Sequence, residues 1–172
     1  MPEGSTLLLF AGASLALLVV PGPAVLFIVA RSVEHGRSAG LVSMLGVQVG
    51  ALVHVAAAVL GISALLVQSA VAFSVVKYAG AGYLVYLGVR RLLDRGSAEA
   101  TARGEAQAFA RLFRQGIVVN VLNPKAALFF FAFLPQFVEP EAGAVALQMG
   151  LLGLLFVALA LVSDGLYALA AG

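Results

Sequence analysis

Four ionisable side chains stand inside long apolar stretches of this chain: His54, Lys77, Lys125 and Asp164. A Lys or Asp at the centre of a membrane helix costs roughly 2.5–3.5 kcal/mol, so such residues persist where they bind, pair or move protons. Lys125 lies about nine residues into its stretch, too deep to extend easily to the headgroups, and directly follows a helix break. It suits a carboxylate, or an acid as partner. Asp164 is the only carboxylate deep in such a stretch, and is the expected counter-charge for a lysine and the expected proton carrier. His54, near mid-stretch among neutral neighbours, reads either as a hydrogen-bonded packing residue or as a proton relay titrating near neutrality. Lys77 is close enough to an end to snorkel outward.

The breaks are the second chemical feature. Val19-Val20-Pro21-Gly22-Pro23-Ala24 and Val121-Leu122-Asn123-Pro124-Lys125-Ala126 each interrupt an apolar helix pattern. In lipid, such an interruption frees carbonyls and N–H groups that must find partners in protein or in a watery cavity. Matched interruptions in two halves of a chain point to a transporter's substrate site. Pro21-Gly22-Pro23 exposes carbonyls before it and opens a new helix N-terminus after it, whose N–H groups suit an anion. Asn120 and Asn123 put amides at the matching point, and Gln48 is a polar residue within a further stretch. A zwitterionic amino acid wants this set: N–H donors or a lysine for its carboxylate, carbonyls or an acid for its ammonium. The competing reading, prolines as packing kinks, fits one break better than two. The expected substrate-binding residues are thus Pro21, Gly22, Pro23, Gln48, Asn120, Asn123, Pro124 and Lys125, with Asp164 and His54 for proton or charge coupling.

The elements that must position these groups follow from composition. Of 172 residues, 62% are hydrophobic and 10% charged, and the mean hydropathy is +1.07. A soluble domain is nearer half apolar and a quarter charged, so this is an integral membrane protein. Spans are expected at about Thr6–Ala30, Ala39–Val67, Val71–Leu93, Gly116–Val138 and Ala144–Leu169, joined by Arg31–Ser38, a turn at Gln68, a polar connection over 94–115, and Glu139–Gly143. All eight arginines fall in or beside the first and third of these connections. The positive-inside rule makes those connections cytoplasmic and sets the N-terminus outside. Phe109, Leu112 and Phe113, interleaved with Arg111 and Arg114, read either as an interfacial amphipathic turn or as the start of the fourth span. With no cysteine there is no disulfide or thiol chemistry. The net charge of +2 reports loop arginines, so no nucleic-acid partner is expected. The first stretch lacks a basic leader, so no cleavable signal is expected.

Pro23 and Pro124 align at an offset of 101, and Gly46 and Gly61 repeat the spacing of Gly150 and Gly165. The expected fold is therefore all-α: a single transmembrane domain over 1–172 with five transmembrane helices present of an expected six. It forms an inverted three-helix repeat with broken helices 1 and 4. Repeat 1 covers about 1–93 and an incomplete repeat 2 covers about 116–172. A counterpart of Val71–Leu93 would begin near position 175. Gly46-Val47-Gln48-Val49-Gly50, and the glycines 80, 82 and 88, mark close helix contacts.

These stretches resemble the lysine and threonine/homoserine exporter family (LysE/RhtB type). The resemblance rests on Pro21-Gly22-Pro23, Gly36-Arg37-Ser38-Ala39-Gly40-Leu41, Gly46 to Gly50, and the stretches Leu60–Leu66 and Lys77–Gly88. The most specific part is Phe113-Arg114-Gln115-Gly116, then Asn120 to Phe130 around Asn123-Pro124-Lys125, then Leu134-Pro135-Gln136-Phe137. It implies a six-helix, dimerising secondary exporter of amino acids or their derivatives in the bacterial inner membrane, without cofactor. Metal-ion export, known in related superfamilies, would need more oxygen ligands than one carboxylate supplies. An intramembrane enzyme would need a His-Glu-x-x-His, a cysteine or a second buried acid, none of which is present. A non-transporting scaffold would have no use for Lys125 and Asp164.

Overall fold

A computed structural model describes residues 3–60, 105–139 and 142–172, all of whose regular elements are helical. The expected third span, Val71–Leu93, with Lys77, the Gln68 turn and the glycines 80, 82 and 88, lies outside the described residues. The elements are α1 (Gly4–Val19), α2 (Pro23–His35), α3 (Arg37–Val59), α4 (Glu105–Val121), α5 (Pro124–Leu128) and α6 (Val145–Ala171). Between α5 and α6 the chain runs through a π-helical turn, Phe129–Phe133, and a 3-10 turn, Leu134–Phe137.

Among the described residues, two helices are long and apolar enough to cross a bilayer alone, α3 with 23 residues and α6 with 27. At 1.5 Å per residue these reach about 35 and 40 Å, against a hydrocarbon core of about 30 Å. The other spans among the described residues are bent pairs. α1 and α2 meet at 52°, and Ala108–Val121 meets Pro124–Phe137 at 48°. Proline causes both elbows: Leu17, Val19 and Asn120 each have a proline four residues on, where the helical N–H donor belongs.

Two expected boundaries are corrected. The Arg31–Ser38 connection shrinks to Gly36, because α2 continues to His35 before Gly36, at φ 83°, turns the chain into α3. Arg31 does not need a loop: its guanidinium bonds Glu34 at 2.6 Å and sits 5.4 Å above the Phe27 ring centroid. The polar connection expected over 94–115 is helical from Glu105 onward. Phe109, Leu112 and Phe113 thus belong to the start of the fourth span, with Leu112 buried.

α3 is the central rod, packed against α2, α4 and α6. Its Gly46 and Gly50 meet α4 at Phe113 and at Ile117 and Asn120, and α4 returns the contact with Gly116 against Ser43 and Val47. This is the close approach that the small-residue spacing on α3 implies. A methyl at Gly116 would press into the Ser43 carbonyl and lie 2.9 Å from the Val47 nitrogen, whereas one at Gly12 meets nothing within 4 Å among the described residues. Gly116→Ala is therefore expected to destabilise the bundle by about 1–3 kcal/mol, read as a lower unfolding midpoint in detergent, and Gly12→Ala by almost nothing. Beyond the elbows, Phe10, Phe129, Phe130 and Phe156 form a buried aromatic layer, with Phe137 edge-on to Phe10.

Candidate functional site

At the two elbows, each carbonyl that a proline deprives of its helical donor meets a side-chain partner from another helix. Pro21 strands the Leu17 carbonyl, and the Lys125 ammonium donates to it at 2.7 Å and to the Val20 carbonyl at 2.5 Å. Pro23 strands Val19, whose carbonyl accepts from the Tyr167 hydroxyl at 2.9 Å. Pro124 denies the Asn120 carbonyl its helical donor; that carbonyl accepts instead from the Asn123 backbone N–H at 3.0 Å and also lies 3.0 Å from Nε2 of His54. An unpartnered backbone group at membrane depth costs several kcal/mol, so Lys125 and Tyr167 at the first elbow, and the Asn123 N–H with His54 at the second, are what make the elbows tolerable. Lys125 also places a positive charge at the negative end of α1. Gly22 makes room for it, since a Cβ there would sit 2.9 Å from the lysine's Cδ.

The second elbow is built from Asn123. Its side-chain oxygen caps α5 by accepting from the Lys125 backbone N–H at 3.1 Å, with Pro124 in the first helical position, where no donor is missed. Asn120 ties this elbow to α3 by donating to the Val47 carbonyl at 2.8 Å.

Between the elbows lies a cavity of about 50 Å³. Gly22, Gln48, Asn120, Asn123, Lys125 and Asp164 line it together with an apolar wall that includes Leu17, Val25, Val47, Ala126, Phe156 and Ala160. Such a volume holds a few waters. Gln48 donates to one Asp164 carboxylate oxygen at 2.8 Å. Among the described residues the other carboxylate oxygen and the Gln48 carbonyl oxygen have no donor, although both residues are only 4% exposed. Two bare acceptors side by side in a buried wall cost about 1–3 kcal/mol each unless something fills the need.

The structure thus brings six of the ten expected site residues to one chamber. Pro21, Pro23 and Pro124 shape its walls through the backbone. His54 does not line it: its ring stacks on Phe130 at 5.7 Å and meets Phe131 edge-on at 5.6 Å. A further correction concerns charge pairing. No ion pair within 4 Å joins Lys125 to Asp164 among the described residues; the α1 carbonyls hold the lysine and Gln48 holds the acid. Two polar residues were missed in the sequence. Tyr167 lies one helical turn beyond Asp164, and counting three residues along the same face would have found it. Gln148, wholly buried, pins the turn before α6 through Glu139 and Gly143.

Two proline elbows facing each other across a buried polar chamber, on apolar helices of spanning length, are the features of a helical membrane protein. Residues 15–171 match the family model described as LysE type translocator. The chain belongs to that family. It is 34% identical over 122 residues to an uncharacterized membrane protein of Vibrio cholerae, covering 71% of this chain and 60% of that one. It is 32% identical over 133 residues to a homoserine/homoserine lactone efflux protein of Salmonella typhi, covering 77% of this chain and 65% of the relative. To a leucine efflux protein of Salmonella choleraesuis it is 34% identical over 131 residues, covering 73% and 60%. The chain therefore spans less than two thirds of these relatives' length. No solved structure matches it.

Proposed function

We propose that the protein exports neutral amino acids or their derivatives, as a secondary transporter with alternating access around the two elbows. The observation that carries this is the charge layout of the chamber among the described residues: one cation, Lys125, and one anion, Asp164, held by different partners, with an acceptor on Asp164 and one on Gln48 that no described donor fills. A zwitterion neutralises both. Its ammonium fits Asp164 and Gln48, and its carboxylate fits Lys125 and the first N–H groups of α2 at Ala24 and Val25. A second positive charge on the substrate would meet no further carboxylate among the lining residues, whereas an aliphatic side chain meets the apolar wall. The leucine and homoserine efflux relatives support the same substrate class. A chamber of about 50 Å³ takes up such a substrate only as the elbows part, which is the motion alternating access requires. The two elbows, of 52° and 48°, support an inverted repeat. The placement of Arg31 and Arg37 at the α2–α3 turn supports a cytoplasmic location for that end in the inner membrane. A divalent cation wants six or more oxygen ligands, and among the described residues no three His, Asp or Glu side chains cluster. The test is efflux of radiolabelled amino acids from cells expressing the protein. Leucine and homoserine are expected to leave faster than from empty-vector cells, and lysine and arginine at the control rate. Export of none of them ends the proposal, and preferential export of the basic pair ends the substrate class.

A further inference from the structure

We infer that the Tyr167 hydroxyl is a positioning group for the substrate chamber, a clasp that keeps the α1–α2 elbow closed. The inference rests on the proposed substrate site and adds to it a residue outside the chamber wall. Val19 is the last residue of α1, and Pro23 denies its carbonyl the helical donor. The hydroxyl of Tyr167, 2.9 Å away, is the one donor to it among the described residues. The geometry makes this more than local satisfaction. Tyr167 follows Asp164 by one turn of α6, so a single helix face carries both the acid of the chamber and the hold on the opposite elbow. The same elbow is held on its other side by Lys125, through Leu17 and Val20. A substrate carboxylate competes for Lys125, which lines the chamber, but it does not reach Tyr167, which does not. Binding therefore loosens one hold and leaves the other, and the Tyr167 bond decides when the elbow opens.

The chain has no cysteine, so one introduced thiol reports the elbow directly in the intact membrane protein. Leu18, buried on α1 and lining the chamber, is the reporter as Leu18→Cys; Ser43→Cys, buried on α3 where it faces Gly116, is the control. The probe is a small cationic methanethiosulfonate. Adding Tyr167→Phe is expected to speed labelling of Leu18→Cys about fivefold, the factor by which one lost hydrogen bond shifts an opening equilibrium. Ser43→Cys is expected to stay unlabelled in both backgrounds. In transport assays, Tyr167→Phe in the otherwise unaltered chain is expected to lower the half-saturating substrate concentration with the maximal rate held, because the chamber takes up substrate only as the elbows part and more molecules are then in the binding-competent form. Unchanged labelling of Leu18→Cys overturns the clasp. So does faster labelling of Ser43→Cys, which would mean general loosening, and so does a fall in maximal rate alone. A protein that labels as expected but exports no amino acid keeps the clasp and ends the proposed function instead.

Discussion

Lys125→Met is expected to lower amino-acid export at least about tenfold and to lower the unfolding midpoint as well. Two effects combine. Hydrogen bonds from a charged donor contribute about 1.5–3 kcal/mol each, and 1.4 kcal/mol is a factor of ten in an equilibrium. Methionine keeps the aliphatic stem against Gly22 but strands the Leu17 and Val20 carbonyls. The chamber also loses its cation, so the proposed zwitterionic substrate would lose its carboxylate partner. Lys125→Arg separates the two effects. It keeps charge and donors, yet the planar guanidinium is bulkier than an ammonium and Gly22 leaves little room beside the stem. Stability near that of the parent, with export intermediate between parent and Lys125→Met, is the expected result. Export by Lys125→Met at the parent rate, in protein that inserts normally, would remove Lys125 from the site.

Much of this arrangement is legible in residue order because proline acts locally. A proline strands the carbonyl four residues earlier whatever surrounds it, so the two elbows and the need for partners follow from Pro21, Pro23 and Pro124 alone. The choice of partner is not local. Lys125 reads as the natural mate of Asp164 in a list of buried charges. In three dimensions the end of α1 offers the lysine two rigid carbonyls and a negative dipole end, and Gln48 takes the acid. His54 and Tyr167 illustrate the same point. The histidine looks chemically versatile, yet it is spent on the Asn120 carbonyl among phenylalanines. The tyrosine looks like an ordinary interfacial aromatic until Pro23 creates its acceptor. Boundaries misled for a different reason. Arg31 and the arginine-bearing stretch from Glu105 read as loop because they are charged, but helices carry such residues readily where they leave the apolar layer.

Asp164→Asn isolates the anion. Asparagine has nearly the shape of aspartate and still offers Gln48 an acceptor, so the α3–α6 contact at 2.8 Å is retained and the folded yield is expected to match the parent. What disappears is the charge, together with the unpartnered carboxylate oxygen that a substrate ammonium would use. A charge-assisted hydrogen bond of about 1.5–3 kcal/mol converts to at least about a tenfold rise in the half-saturating concentration of leucine or homoserine. The same variant reports on proton coupling. If inward proton movement drives export through this carboxyl group, the parent exports faster when the outside is acidified and Asp164→Asn responds to neither direction of pH change. A parent with a flat response leaves Asp164 the ammonium's partner and no more. A variant with unaltered affinity and an unaltered pH response would show that Gln48 and Asp164 form a packing contact, and that the chamber's bare oxygens serve only water.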